Sequence, residues 1–153
     1  MACVTSSLWS TSEDEAGDLR GHHATRVLLA DDQEEIRLTL VSILESEFEV
    51  VGTAENGQRV LELLLTKSPD VLVLDIFMPV LNGIEVASYL KASGCHTKVL
   101  FVTVQDDPDF LETAISLGAL GYVLKAHVAT DLIPAMRSVM EDRVYISPSM
   151  HSV

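Results

Sequence analysis

The sequence predicts a doubly wound α/β fold, a parallel β-sheet with helices packed on both faces. Five short apolar runs predict the sheet: VLLAD (27–31), EVVGTA (49–54), VLVLD (71–75), KVLFVT (98–103) and GYVLK (121–125). They are rich in Val and Leu and do not alternate with polar residues, as expected of strands buried on both faces. The stretches between them repeat apolar residues at helical spacing. Alternation of these two textures is the pattern of a parallel sheet with crossover helices.

Each element can be justified in order. After the first run, Ile36, Leu40, Ile43 and Leu44 fall on one helical face. After the second, Gly57 opens a helix whose stripe is Val60, Leu61, Leu64 and Leu65, and Pro69 ends it. Gly83 and Gly94 bracket a third stripe, Ile84, Ala87 and Leu90. Pro108 and Gly118 bracket a weaker fourth, Leu111, Ala114 and Ile115. Leu132, Ile133, Met136, Val139 and Met140 form the fifth, with Pro134 expected in its first turn, where proline is tolerated. Right-handed crossovers constrain the winding. The expectation is five strands in the order 2-1-3-4-5 with five helices, and no internal repeat beyond the β-α alternation.

Length and charge narrow the function classes. A chain of 153 residues fits one domain able to bury a core without disulfide or metal staples. Its apolar runs fall far short of the ~20 residues that a membrane span needs. Residues 1–25 are polar, with no apolar signal core, and read as a disordered tail; residues 143–153 read as a C-terminal tail or the start of a linker. A cytoplasmic protein without membrane association is expected. The formal charge of −13 repels phosphate backbones, so direct nucleic-acid binding by this chain is not expected. Cys3 and Cys95 show no paired spacing and read as two ordinary thiols.

In an open α/β sheet, ligands bind outside the carboxyl ends of the strands. Here the first run ends in Asp31-Asp32, the third in Asp75, the fourth in Thr103 and the fifth in Lys125. Singly, each has an ordinary explanation. Asp32-Gln33-Glu34-Glu35 has capping-box spacing, which would make Asp32 a helix cap. Asp75 could be a strand-end acid before the Met78-Pro79 turn, and Thr103 and Lys125 surface residues. Jointly they place three carboxylates, a hydroxyl and an ammonium on one rim, and the acids repel one another unless a cation holds them. Hard oxygen donors without Cys or His suit Mg²⁺. A carboxylate nucleophile, Mg²⁺ and a lysine together suit phosphoryl transfer to an aspartate, with Asp75 attacking the phosphorus in line.

The segments LLADDQ (28–33), LVLDIFMPVLNG (72–83), VLFVT (99–103) and GYVLK (121–125) closely resemble the receiver domains of bacterial response regulators, the CheY-like superfamily with a flavodoxin-like fold. The resemblance spans about residues 26–142. Its motifs are specific: the acidic pair, the Asp-x-x-Met-Pro-x-x-x-Gly string, the Thr and the Lys keep family order and family-like spacing. It implies that Asp32 binds Mg²⁺ directly and Asp31 directly or through water. Asp75 would be both metal ligand and phosphoacceptor, with the backbone carbonyl of Phe77 completing the protein ligands. Thr103 and Lys125 would bind the phosphoryl oxygens, and Tyr122 would report phosphorylation through its rotamer. The donor would be a sensor histidine kinase or a phosphotransfer protein. The surface of the fourth helix, fifth strand and fifth helix would carry the signal to a downstream protein or a C-terminal DNA-binding domain. A homodimer is compatible with this role.

The ending MEDRVYISPSM (140–150) also resembles the NarL/FixJ-like branch. Ala126 stands where many receivers have proline, and Val104 where they usually have Ala or Gly. Three other classes compete. An aspartate-nucleophile phosphohydrolase needs a second acid at position 77, where this chain has Phe77. A flavodoxin-like cofactor binder needs a Gly- or Ser/Thr-rich phosphate loop, where this chain has Asp31-Asp32-Gln33. A receiver that is never phosphorylated would serve only as scaffold. The expectation is a phosphoacceptor rather than a turnover enzyme.

Overall fold

The computed structural model describes residues 24–152, so the expected N-terminal tail lies outside the described residues except for its last two. Strand β1 (Arg26–Ala30) leads to α1 (Glu34–Leu44), β2 (Glu49–Ala54) to α2 (Gly57–Lys67), and β3 (Val71–Leu74) to α3 (Gly83–Ser93). Then come β4 (Lys98–Thr103), α4 (Pro108–Ser116) and β5 (Gly121–Leu124). A 3-10 turn (Lys125–His127) feeds α5 (Val128–Met140), followed by β6 (Tyr145–Ile146) and a second 3-10 turn (Pro148–Ser152). The sheet is parallel throughout, in the order β2-β1-β3-β4-β5-β6. The expected winding holds, and the expected count of five strands falls one short. The sixth is formed by Tyr145–Ile146, inside the segment read as a tail or linker.

The strands show why their sequences are continuously apolar. Successive side chains point to opposite faces, and both faces are covered. Leu28, Leu72, Leu74, Phe101 and Tyr122 pack on the face of α2, α3 and α4, with Val60, Leu64, Val86 and Leu90. Val27, Leu29, Val73, Leu100, Val102 and Val123 pack on the other, with Leu40 and Leu44 of α1 and Leu132, Met136 and Val139 of α5. Burying one such large aliphatic side chain contributes about 1.5–3 kcal/mol. No helix among the described residues is long and apolar enough to cross a membrane.

Three local expectations are corrected. In α2 the buried stripe is Val60, Leu63 and Leu64, while Leu65 is exposed; three consecutive leucines left its phase undetermined. Pro134 lies inside α5 rather than in its first turn, because the helix begins at Val128, six residues earlier. Its ring removes the N–H that would have bonded the Thr130 carbonyl. Cys95 is not a free thiol, against the reading of two ordinary thiols, and Cys3 lies outside the described residues.

Candidate functional site

Asp31 follows β1, Asp75 follows β3, Thr103 ends β4 and Lys125 follows β5. These strands run parallel, so all four residues share the carboxyl rim. Carboxylate oxygens of Asp31, Asp32 and Asp75 lie within 4.8 Å of one another. Asp31 and Thr103 are fully buried and Asp75 nearly so, while Asp32 is exposed.

Backbone contacts set this convergence. The Asp31 amide donates to the Ala54 carbonyl (3.1 Å) and the Asp75 amide to the Ala30 carbonyl (3.0 Å), so each acid continues its strand's ladder by one bond. The Gln33 amide donates to Asp31 Oδ1 (2.9 Å), and Arg37 Nη1 donates to the Asp31 carbonyl (2.7 Å). Asp32 is therefore not the helix cap that its spacing suggested: Gln33 holds the cap position, without a side-chain bond. On the other side, Gly83 N–H donates to the Ile76 carbonyl (2.7 Å), and a Cβ on Gly83 would stand 2.1 Å from the Asp75 carbonyl oxygen. Asn82 caps α3 in a full capping box with Glu85, which fixes where the loop from Asp75 must end. Neither Arg37 nor Gly83 was singled out for this role from sequence. A glycine opening a helix is an ordinary breaker until the carbonyl pressed against it is seen.

Lys125 supplies the counter-charge. Its Nζ lies 2.7 Å from Asp31 Oδ2 and donates a hydrogen bond to Asp75 Oδ2 at 3.0 Å. Burial opposes the ammonium, but the Asp31 and Asp75 carboxylates beside it outweigh that and raise the lysine above its ordinary value, so it stays charged. Burial pushes the Asp75 carboxyl up; Lys125 works against that and the Asp31 carboxylate adds to it. One ammonium thus faces three acids. Asp75 Oδ1 is buried without a hydrogen-bond partner among the described residues, and the contact at Asp31 Oδ2 is a charge contact without hydrogen-bond alignment. A buried carboxylate oxygen without a donor, beside two further carboxylates, fits a hard divalent cation.

Thr103 and Tyr122 are linked through Gln105. The Gln105 amide donates to Thr103 Oγ1 (3.2 Å), and the Tyr122 hydroxyl donates to the Gln105 carbonyl (2.7 Å). Tyr122 is fully buried, and burial raises its phenol, with Asp106 and Asp107 adding to the effect. The half-exposed Phe77 ring meets Phe110 of α4 edge to face, with centroids 5.6 Å apart. Val104 is 69% exposed. No peptide bond among the described residues is cis, and Ala126 sits in the 3-10 turn after Lys125.

Comparisons with known proteins agree with this geometry. The profile of the response regulator receiver domain matches residues 27–137. The chain is 37% identical over 127 residues to the transcriptional regulatory protein YvfU of Bacillus subtilis, itself uncharacterized, covering 82% of this chain and 64% of that protein. It is 34% identical over 117 residues to the chemotaxis protein CheY of Halobacterium salinarum, covering 76% and 98%. The signal receiver domain of the response regulator NarL from Mycobacterium tuberculosis superposes with a TM-score of 0.76 at 31% identity, covering 80% of this chain and 100% of that one. The chain spans less than two thirds of the first transcriptional regulators that it matches. With a matching profile over most of its length, the acidic rim and the sheet order, this chain belongs to the response regulator receiver domains of two-component systems.

Proposed function

We propose that Asp75 accepts a phosphoryl group in a Mg²⁺-dependent reaction, and that the resulting change of surface is the protein's output. One observation carries this reading: three clustered carboxylates meet a single ammonium, which Asp31 and Asp75 share. Asp31, Asp32 and Asp75, with the carbonyl of Phe77, would hold the ion. When bound, it would draw charge off the phosphoryl oxygens. Lys125, positioned on Asp75 Oδ2, is within reach of a group joined to that carboxylate, and the Thr103 hydroxyl offers a further donor. Phosphorylation exchanges a carboxylate for a more highly charged group with more acceptor oxygens, so both donors gain partners. Tyr122, tied to the loop after β4 through Gln105, would follow Thr103.

Position 77 carries a phenylalanine and no acid to protonate a leaving group, which favours a phosphoacceptor over a turnover phosphohydrolase. The donor would be a sensor histidine kinase or phosphotransfer protein in the cytoplasm. Transcriptional relatives longer than this chain favour an output through a further DNA-binding domain. The decisive experiment is Mg²⁺-dependent labelling with a small phosphodonor, comparing wild type with Asp75→Asn. Acid-stable, base-labile label on the wild type alone is expected. Equal labelling of the variant would remove the assignment.

A further inference from the structure

Strand β6 has no place in the five-stranded plan, yet its docking is specific. Without it, β5 would be a sheet edge with open backbone groups. The Tyr145 amide donates to the Leu120 carbonyl (2.8 Å) and the Ser147 amide to the Tyr122 carbonyl (2.8 Å). Past the Ser147 amide the backbone ladder stops and a side chain continues it: Ser147 Oγ accepts from the Leu124 amide at 3.0 Å. The same hydroxyl donates to Asp131 Oδ2 at 2.9 Å. Ser147 is fully buried and Asp131 only 8% exposed, so neither water nor a surface contact explains the pair. Asp131 lies in the first turn of α5, where a carboxylate is favoured, and Thr130 Oγ1 donates to its other oxygen (3.2 Å). Past Ser147 the chain turns, with the Met150 amide on the Ser147 carbonyl (2.9 Å), and Met150 sinks to 6% exposure. Met150 and, partly, Ile146 join the apolar cluster that contains Tyr122, Phe101, Ala114 and Ala119.

The attachment points on β5 are those nearest the site. Leu124, held by Ser147, immediately precedes Lys125. Tyr122, held by the Ser147 amide, carries the hydroxyl that bonds Gln105. A displacement of Lys125 or Tyr122 therefore acts on the same backbone that seats the strand. We propose that residues 145–150 form a strap on β5 whose seating is coupled to the state of Asp75, with Ser147 and Asp131 as its latch. This rests on the phosphoacceptor reading above. The buried Tyr122 ring belongs to the cluster that Ile146 and Met150 join, and Gln105 ties its hydroxyl to Thr103. The sign we assign to the coupling is that loading Asp75 tightens the strap. Coupling is reciprocal: a loosened strap weakens the loaded state by the same factor.

The test is amide hydrogen exchange on the whole chain with Mg²⁺, with and without beryllium fluoride as phosphoryl mimic. Phosphodonor labelling of Asp75 is measured in parallel. On loading, the Tyr145 and Ser147 amides are expected to exchange about fivefold or more slower, within the usual range of coupling factors. In Ser147→Ala the response is lost and affinity for the mimic falls by a similar factor. Asp131→Asn, which keeps an oxygen to accept from Ser147, retains the response. Unchanged exchange at Tyr145 and Ser147 in a wild type whose Asp75 labels normally overturns the strap alone. Failure of Asp75 to label at all overturns both the strap and the reading beneath it. Should Ser147→Ala not fold, the wild-type exchange pair still decides.

Discussion

Replacing Lys125 with methionine keeps most of the apolar stem and removes the ammonium. That ammonium lies 2.7 Å from Asp31 Oδ2 and 3.0 Å from Asp75 Oδ2. At an effective dielectric of about 20, each contact supplies about 5–6 kcal/mol of attraction. Desolvation of the ions returns several kcal/mol per ion. The substitution leaves two carboxylate side chains, 1% and 4% exposed, beside Asp32 and without a counter-charge. Breaking a buried pair from one side costs about 3–5 kcal/mol. Protonation sets a ceiling: folding with Asp75 neutral at pH 7, from an ordinary value of 3.8, costs about 4 kcal/mol at about 1.4 kcal/mol per unit. Lys125→Met should therefore lose about 3–4 kcal/mol in chelator at pH 7.

The pH dependence carries its own sign. In the variant Asp75 loses the group that lowers its pKa and keeps the burial that raises it. Its folded value then lies further above the unfolded one, and the native state binds the extra proton. Stability is complete below the unfolded value and is lost as pH rises through the folded one. The deficit should shrink on acidification, by about 1.4 kcal/mol per unit at most for one proton. Mg²⁺ should also restore more stability to the variant than to wild type, because it replaces a missing charge. Urea denaturation followed by circular dichroism at pH 5 and pH 7, with chelator and with Mg²⁺, measures all three effects. A deficit under about 1 kcal/mol at pH 7, or one that grows toward pH 5, refutes the claim that this ammonium neutralises the pocket.

Gly83→Ala drives a Cβ to within 2.1 Å of the Asp75 carbonyl oxygen; phosphodonor labelling should fall at least about tenfold with a loss of about 2 kcal/mol, and wild-type labelling would show that the loop yields freely. Val80 holds φ at 71° while 73% exposed, at the centre of a tight turn closed by the Leu81 amide on the Pro79 carbonyl (2.8 Å), so Val80→Gly should gain about 0.5–1 kcal/mol in a urea titration by relieving a β-branched residue held at positive φ. Tyr122→Phe removes the hydroxyl that donates to Gln105; a cost of about 1 kcal/mol is expected, together with a changed lifetime of labelled Asp75 if the loop after β4 senses that group.

How legible all this was depended on how local each cause is. Asp31, Asp75, Thr103 and Lys125 could be read from sequence because each ends a short apolar run, and parallel strands bring their ends to one rim. The phase of α2 could not, because Leu63, Leu64 and Leu65 fit neighbouring stripes equally until α2 packs on the sheet. Asp32 satisfied a capping pattern, yet the Gln33 amide bonds Asp31 and the helix starts one residue later. Two-residue β6 is too short to carry a period, and its latch joins residues 16 apart in the chain. Contacts of that kind have no spacing rule, and only the packed fold reveals them.

The pocket's charge imbalance bears on why one lysine touches two acids. An ammonium bound to Asp75 alone would leave Asp31, fully buried, uncompensated; bound to Asp31 alone, it would leave the proposed acceptor without a donor. Sharing satisfies both only in part: Asp75 Oδ1 has no hydrogen-bond partner among the described residues. A resting state so incompletely satisfied gains from any cation and from any group that gives the ammonium better acceptors. On the proposed reading Mg²⁺ and the phosphoryl group supply these in turn. On that reading the drive to move Lys125, and Leu124 behind it, would come from acceptors that satisfy the ammonium and the carboxylates better, with no strained backbone required at Lys125 itself.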